Sequence, residues 1–180
     1  SLIGNSTRSL AEDASGNLWI ATIDGLSKFN ATRTAFTNFQ YQPNEKNGLT
    51  SKELRTLRMD RDGSTLWIGH YGRGLNRMNT LTGEITPYAY DLHDGTGMSY
   101  GKLISIFQDK EGFIWLGTDG GGLNRLNPVT GEFNYFIADN ANPDALSQNA
   151  VTSITDDDQG NLWIATEGGL NYLDRTTMKF

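Results

Sequence analysis

The sequence predicts an all-β fold, a β-propeller built of four four-stranded blades. Three observations predict it. The four tryptophans, Trp19, Trp67, Trp115 and Trp163, follow one another at a constant spacing of 48 residues. Their flanks repeat: "GNLWIATIDGLSKFN" (16–30), "GSTLWIGHYGRGLNRMN" (63–79), "GFIWLGTDGGGLNRLN" (112–127) and "GNLWIATEGGLNYLD" (160–174). The composition sets 21 Gly beside four Trp, seven Tyr and eight Phe, a mixture of turn formers and aromatics that favours strands over helices.

Each repeat reads as strands a to d. Strand a is "TRSLAED" (7–13), "LRTLRMD" (54–60), "LISIFQD" (103–109) or "VTSITDD" (151–157), and closes on an Asp with a Gly three residues later. Asp enters a turn by accepting nearby backbone N–H groups, and Gly supplies a positive φ. Strand b carries the Trp and is apolar on both faces, as in Leu18-Trp19-Ile20-Ala21. Such a strand lies between two layers. Two residues past each Trp stands Ala21, Gly69, Gly117 or Ala165, small enough to leave room for the indole or a neighbouring sheet. Strand c starts at Leu26, Leu75, Leu123 or Leu170, and Asn30, Asn79, Asn127 or Asp174 enters the turn after it. Strand d carries aromatics in "AFTNFQY" (35–41), "EITPYAY" (84–90) and "EFNYFIA" (132–138). A linker of about a dozen residues leads to the next strand a.

Four antiparallel strands with both faces apolar must stack sheet on sheet, which is a propeller. The blades fall at about 1–47, 48–96, 97–144 and 145–180, the last lacking most of strand d. The sequence is compatible with a piece of a larger ring, and with four blades that close alone or by pairing with a second chain. An open piece exposes its first and last apolar faces, so a homo-oligomer that completes the ring is expected.

Totals exclude other classes. A net charge of −6 with no Lys/Arg run argues against nucleic acid as a partner. The absence of Cys excludes disulfides, thiolate zinc and a Cys nucleophile. No apolar run approaches the roughly 18 residues of a membrane span. The triple glycine Gly120–Gly122 suggests a phosphate loop, but "LNRLN" and a turn follow it rather than a helix, and its three sibling slots read as hairpin turns.

The motif D-x-x-G-x-[LI]-W-[IL]-[GA]-T-x-G-G-L-N-R, matched best over 109–127, resembles the two-component-regulator propeller repeat along the whole chain. "SLIGNS" (1–6) and "ALSQNA" (145–150) resemble the segment that precedes strand a in that family. The resemblance implies a periplasmic, extracytoplasmic sensor of bacterial hybrid two-component systems and related diguanylate cyclases or histidine kinases. It implies a small polar ligand such as a sugar or oligosaccharide, and attached kinase or cyclase output domains. The rings of such sensors have about seven blades, against four repeats here. The other reading is a structural or assembly propeller that makes protein–protein contacts without a small ligand.

Candidate ligand-binding residues come from departures between repeats and from strand parity. In a meander the d–a linkers and b–c turns share one rim, and these segments vary. His70, Tyr71 and Arg73 stand where other copies have Thr-Asp, Thr-Glu or Thr-Ile. Arg8, Arg55 and Lys102, at or beside the start of strand a, are placed to receive a carboxylate, sulfate or hydroxyl groups, and otherwise form a solvated channel wall. Tyr100 in the linker "HDGTGMSYGK" (93–102) could stack on a sugar or pack the linker. Enzyme constellations are weak: Asp24, Asp119 and Glu167 match one another as turn caps rather than as a catalytic pair, so no catalytic residue and no enzyme activity is expected. Two histidines, His70 and His93, are no metal set, and "TDDDQGN" (155–161) is an a–b turn rather than a calcium loop. No cofactor is expected.

Overall fold

A computed structural model describes residues 1–90 and 97–180. Its regular elements, among the described residues, are all β-strands. Sheet one holds β1 (Thr7–Glu12), β2 (Leu18–Thr22), β3 (Gly25–Phe29) and β4 (Phe36–Phe39). Sheet two holds β5 (Leu54–Met59), β6 (Thr65–His70), β7 (Leu75–Asn79) and β8 (Ile85–Tyr88). Sheet three holds β9 (Leu103–Gln108), β10 (Ile114–Thr118), β11 (Leu123–Leu126) and β12 (Phe133–Phe136). Sheet four holds β13 (Val151–Asp156), β14 (Leu162–Thr166) and β15 (Gly169–Leu173). In each sheet the strands pair antiparallel in chain order. These are the a, b, c and d strands read from the repeat, and sheet four lacks d.

Strand a stops one residue short of its Asp because that carboxylate builds the turn. Asp13 Oδ1 accepts the N–H groups of Ser15 and Asn17 at 3.0 and 2.9 Å. Asp109 Oδ1 does the same for Glu111 and Phe113, and Asp157 Oδ1 for Gln159 and Asn161. The a–b turn of sheet two is one residue longer, and there Asp62 takes over, accepting from Ser64 and Thr65. The second oxygen of Asp13, Asp60 and Asp109 accepts the indole N–H of Trp19, Trp67 and Trp115 at 2.9, 3.0 and 2.7 Å. One aspartate thus fixes both a turn and a buried ring, which is why Asp and Trp repeat together.

The chain forms two compact units, Ser1–Ala89 and Tyr90–Phe180. In the first, Trp19, Ala21 and Leu26 of sheet one pack with Leu54, Leu57, Leu66 and Ile68 of sheet two. In the second, Trp115 and Leu123 of sheet three pack with Val151, Ile154, Leu162 and Ile164 of sheet four. The Trp face of one sheet therefore meets strand a of the next. The small residue after the Trp follows from this: a Cβ on Gly117 would run into Ser105 Oγ and Val151. In sheet four the pattern ends. Trp163 is 40% exposed and Leu170 68%, whereas their counterparts Trp19, Trp115, Leu26 and Leu123 are fully buried.

Candidate functional site

The b–c turn and the linker before strand a are tied together in every blade by one backbone bond. The N–H groups of Ile23, Tyr71, Asp119 and Glu167 donate to the carbonyls of Ser6, Glu53, Lys102 and Ala150 at 3.3, 3.1, 3.0 and 3.0 Å. A second tie comes from the residue after the first leucine of strand c. Asn76, Asn124 and Asn171 Oδ1 accept the N–H of Thr50, Ser99 and Ser147, and Ser27 Oγ accepts that of Ile3. All four anchors are buried. Sequence reasoning passed over them, although "LN" directly after the turn glycine in three copies was the available signal.

Strand a carries a bulge near its start. The register skips Arg8 in β1, Arg55 in β5, Ile104 in β9 and Thr152 in β13. A bulge re-aims the side chain of the unpaired residue. Arg8 and Arg55 are therefore equivalent positions, both exposed, on adjacent sheets of the first unit. The N–H of Leu57 donates to Ser9 Oγ at 3.0 Å and joins those two strands just past the bulges. Lys102 is not their equivalent. It sits at the position of Ser6, Glu53 and Ala150, and its carbonyl holds the turn.

Tyr71 is 42% exposed and Arg73 is exposed, beside the linker that leads to Arg55. Thr50 Oγ1 donates to the Arg73 carbonyl at 3.3 Å, and Leu54 pairs with His70, so linker and turn form one surface. His70 itself is fully buried. In the other blades Thr22, Thr118 and Thr166 hold this position and bond the glycine carbonyl of their own turn at 2.8 to 3.0 Å. His70 instead bonds Asn76 Oδ1 through Nε2 at 2.6 Å. Because that oxygen also accepts from Thr50, Nε2 is the donor and the ring is neutral with its proton there. Burial pushes the imidazole down to about 4, against the smaller pull of the Asn76 bond.

In the second unit Tyr100 is half-buried and packs over Gly120 and Gly121, where a Cβ on Gly121 would strike it. Gly122 has φ 76° and approaches the Phe136 carbonyl too closely for any side chain, so the triple glycine serves hairpin geometry. Among the described residues no three His, Cys, Asp or Glu side chains gather to hold a metal ion. His93 lies outside the described residues.

Residues 1–24, 97–120 and 145–168 match the family described as two component regulator propeller. No curated protein matches the chain. Among solved structures it is similar to the extracellular domains of two hybrid two component systems from B. thetaiotaomicron. One is 24% identical with a TM-score of 0.71 over 98% of this chain and 30% of that one. The other is 20% identical with a TM-score of 0.54 over 94% and 27%. It is also similar to PorZ, a surface component of the type-IX secretion system of Porphyromonas gingivalis, at 18% identity and a TM-score of 0.68 over 93% and 26%. The chain thus spans about a third or less of the length of these structures, and the likeness shows their fold. With the aspartate–tryptophan blades in place, the chain is a β-propeller segment, and residues 1–24, 97–120 and 145–168 of it match the two component regulator propeller repeat.

Proposed function

We propose that this propeller segment is the ligand-reading part of an extracytoplasmic, periplasmic bacterial receptor. It binds a small polar ligand such as a glycan and signals through attached kinase or cyclase domains by shifting a conformational equilibrium. The observation that carries this reading is that exposed Tyr71 and Arg73 lie on a turn tied to the linker before Arg55, while Arg8 and Arg55 occupy equivalent bulges, both exposed, on adjacent sheets. The extracellular hybrid two component domains that share the fold support the setting. In the second unit Tyr100 and Lys102 occupy the same rim of their blade and are the corresponding candidates. A thermal-shift screen of mono- and oligosaccharides tests it. A stabilising sugar whose effect is lost in Arg55→Ala and Tyr71→Ala supports the reading, and a panel without any shift counts against it.

A second reading, an assembly propeller, is favoured by one observation: the uncovered Trp163, Leu170 and Tyr172 of sheet four, together with Leu10 of sheet one, 60% exposed. The counterparts of Trp163 and Leu170 in sheets one and three are fully buried. A homo-oligomer would cover these apolar faces, and sedimentation at several concentrations measures it.

A further inference from the structure

The rim opposite the b–c turns, where the repeats agree best, carries recesses beside strands b, c and d. Two grooves open there at corresponding positions. Thr65, Arg77, Asn79, Glu84 and Thr86 line the one in sheet two, with a volume of about 210 Å³. Phe113, Arg125, Asn127, Glu132 and Asn134 are their counterparts in sheet three, where the groove reaches about 700 Å³. The larger volume lies in the range of small-ligand sites.

Phe113 is the residue the fold does not ask for. In blades one and four the same position is Asn17 and Asn161. Asn17 Nδ2 bonds Asp13, and its Oδ1 accepts from Ala31 in the c–d turn at 3.0 Å. Asn161 repeats this with Asp157 and Arg175. Phe113 gives up both ties and puts a half-buried aromatic ring at the groove. The Arg125 guanidinium lies 4.7 Å over that ring and 5.7 Å over Trp115, and its Nη2 donates to Asn134 Oδ1 at 2.8 Å. Thr130 Oγ1 donates to Glu132 Oε2 at 3.0 Å. The lining therefore combines two phenylalanines, Phe113 and Phe133, with one threonine, one cation, one anion and two amides. Cation and anion balance, which disfavours a charged ligand. Interspersed donors and acceptors beside an aromatic suit a hydroxylated ring with an apolar face.

We propose that the sheet-three groove binds a neutral saccharide unit, with Phe113 as apolar contact and Arg125, Glu132 and Asn134 as hydrogen-bonding groups. The inference goes beyond the reading above, because it uses the other rim of the blade and none of that reading's residues. The test is NMR of the whole chain titrated with neutral hexoses, pentoses and their disaccharides. At least one of them perturbs the side-chain signals of Arg125 and Asn134. Phe113→Asn, which installs the residue of blades one and four, folds and weakens that perturbation about tenfold or more, while Arg55→Ala leaves it unchanged. The proposal is overturned if no sugar perturbs the groove, or if binding survives both Phe113→Asn and Glu132→Ala. It is equally overturned if binding depends on Arg55 alone, an outcome that leaves the opposite-rim reading standing.

Discussion

The Trp115 indole N–H donates to Asp109 across 2.7 Å, and Arg175, in the turn after β15, meets the same carboxylate oxygen at 3.0 Å. Asp109 is fully buried and also holds two backbone N–H groups of its turn. Asp109→Ala leaves four donors without their acceptor. The expected loss is about 3 kcal/mol, read as a lower urea midpoint. Asp157 stands at the matching place, but Tyr172 rather than Trp163 donates to it, and Trp163 is half out in solvent. Asp157→Ala therefore shifts the midpoint much less. Equal losses would contradict the role given to the shared oxygen.

The Asn anchors of strand c make a prediction about local order. Asn124 accepts the Ser99 N–H at 2.7 Å and returns its own Nδ2 to Ser99 Oγ at 2.7 Å. Asn124→Ala costs about 2 kcal/mol and accelerates amide exchange at Ser99 and in residues 97–102, ahead of the β10–β11 ladder.

His70 gives the chain a pH dependence. Its folded-state value of about 4 lies below the ordinary 6.5, so the unfolded chain binds the extra proton first. The contribution is fully present above pH 6.5 and is lost as pH falls toward 4, about 3 kcal/mol in total. His70→Thr, the residue of the other blades, flattens the slope of stability between those values. The carboxylates Asp13 and Asp62 add to acid lability below that window. Burial pushes each up, but the hydrogen bonds they accept outweigh it and hold both below the usual range. Their stabilisation persists above the unfolded value and disappears as pH falls through the lowered one.

Gly122 and Gly131 separate strain from crowding. Both have positive φ, 76° and 80°. A Cβ meets the Phe136 carbonyl at Gly122 and open space at Gly131. Gly131→Ala costs about 1 kcal/mol, and Gly122→Ala about 3 kcal/mol because the β11–β12 hairpin must shift as well.

The fold was legible because the repeat is its own alignment: Trp at a fixed period, Asp before it and Gly-Leu after it mark strands b, a and c. Strand d was legible from Phe36, Ile85 and Phe133. The candidate site was legible only in part. Departure from the repeat pointed to His70, Tyr71 and Arg73, but parity within a strand does not reveal depth, and His70 lies inside the blade. Arg8, Arg55 and Lys102 looked alike by position, yet a bulge lifts the first two out of register and Lys102 holds a turn. Phe113 stood in plain sight beside Asn17 and Asn161, and only the hydrogen bonds of those asparagines show what it forgoes.

The central claim is that the rim formed by the b–c turns and d–a linkers reads a small polar ligand. Hydrogen exchange of the chain with and without the most stabilising sugar tests it most directly. The account predicts protection concentrated in residues 50–55 and 70–74, abolished by Arg55→Ala with the fold intact. A stabilising sugar that leaves both segments exchanging as in the free chain would contradict it.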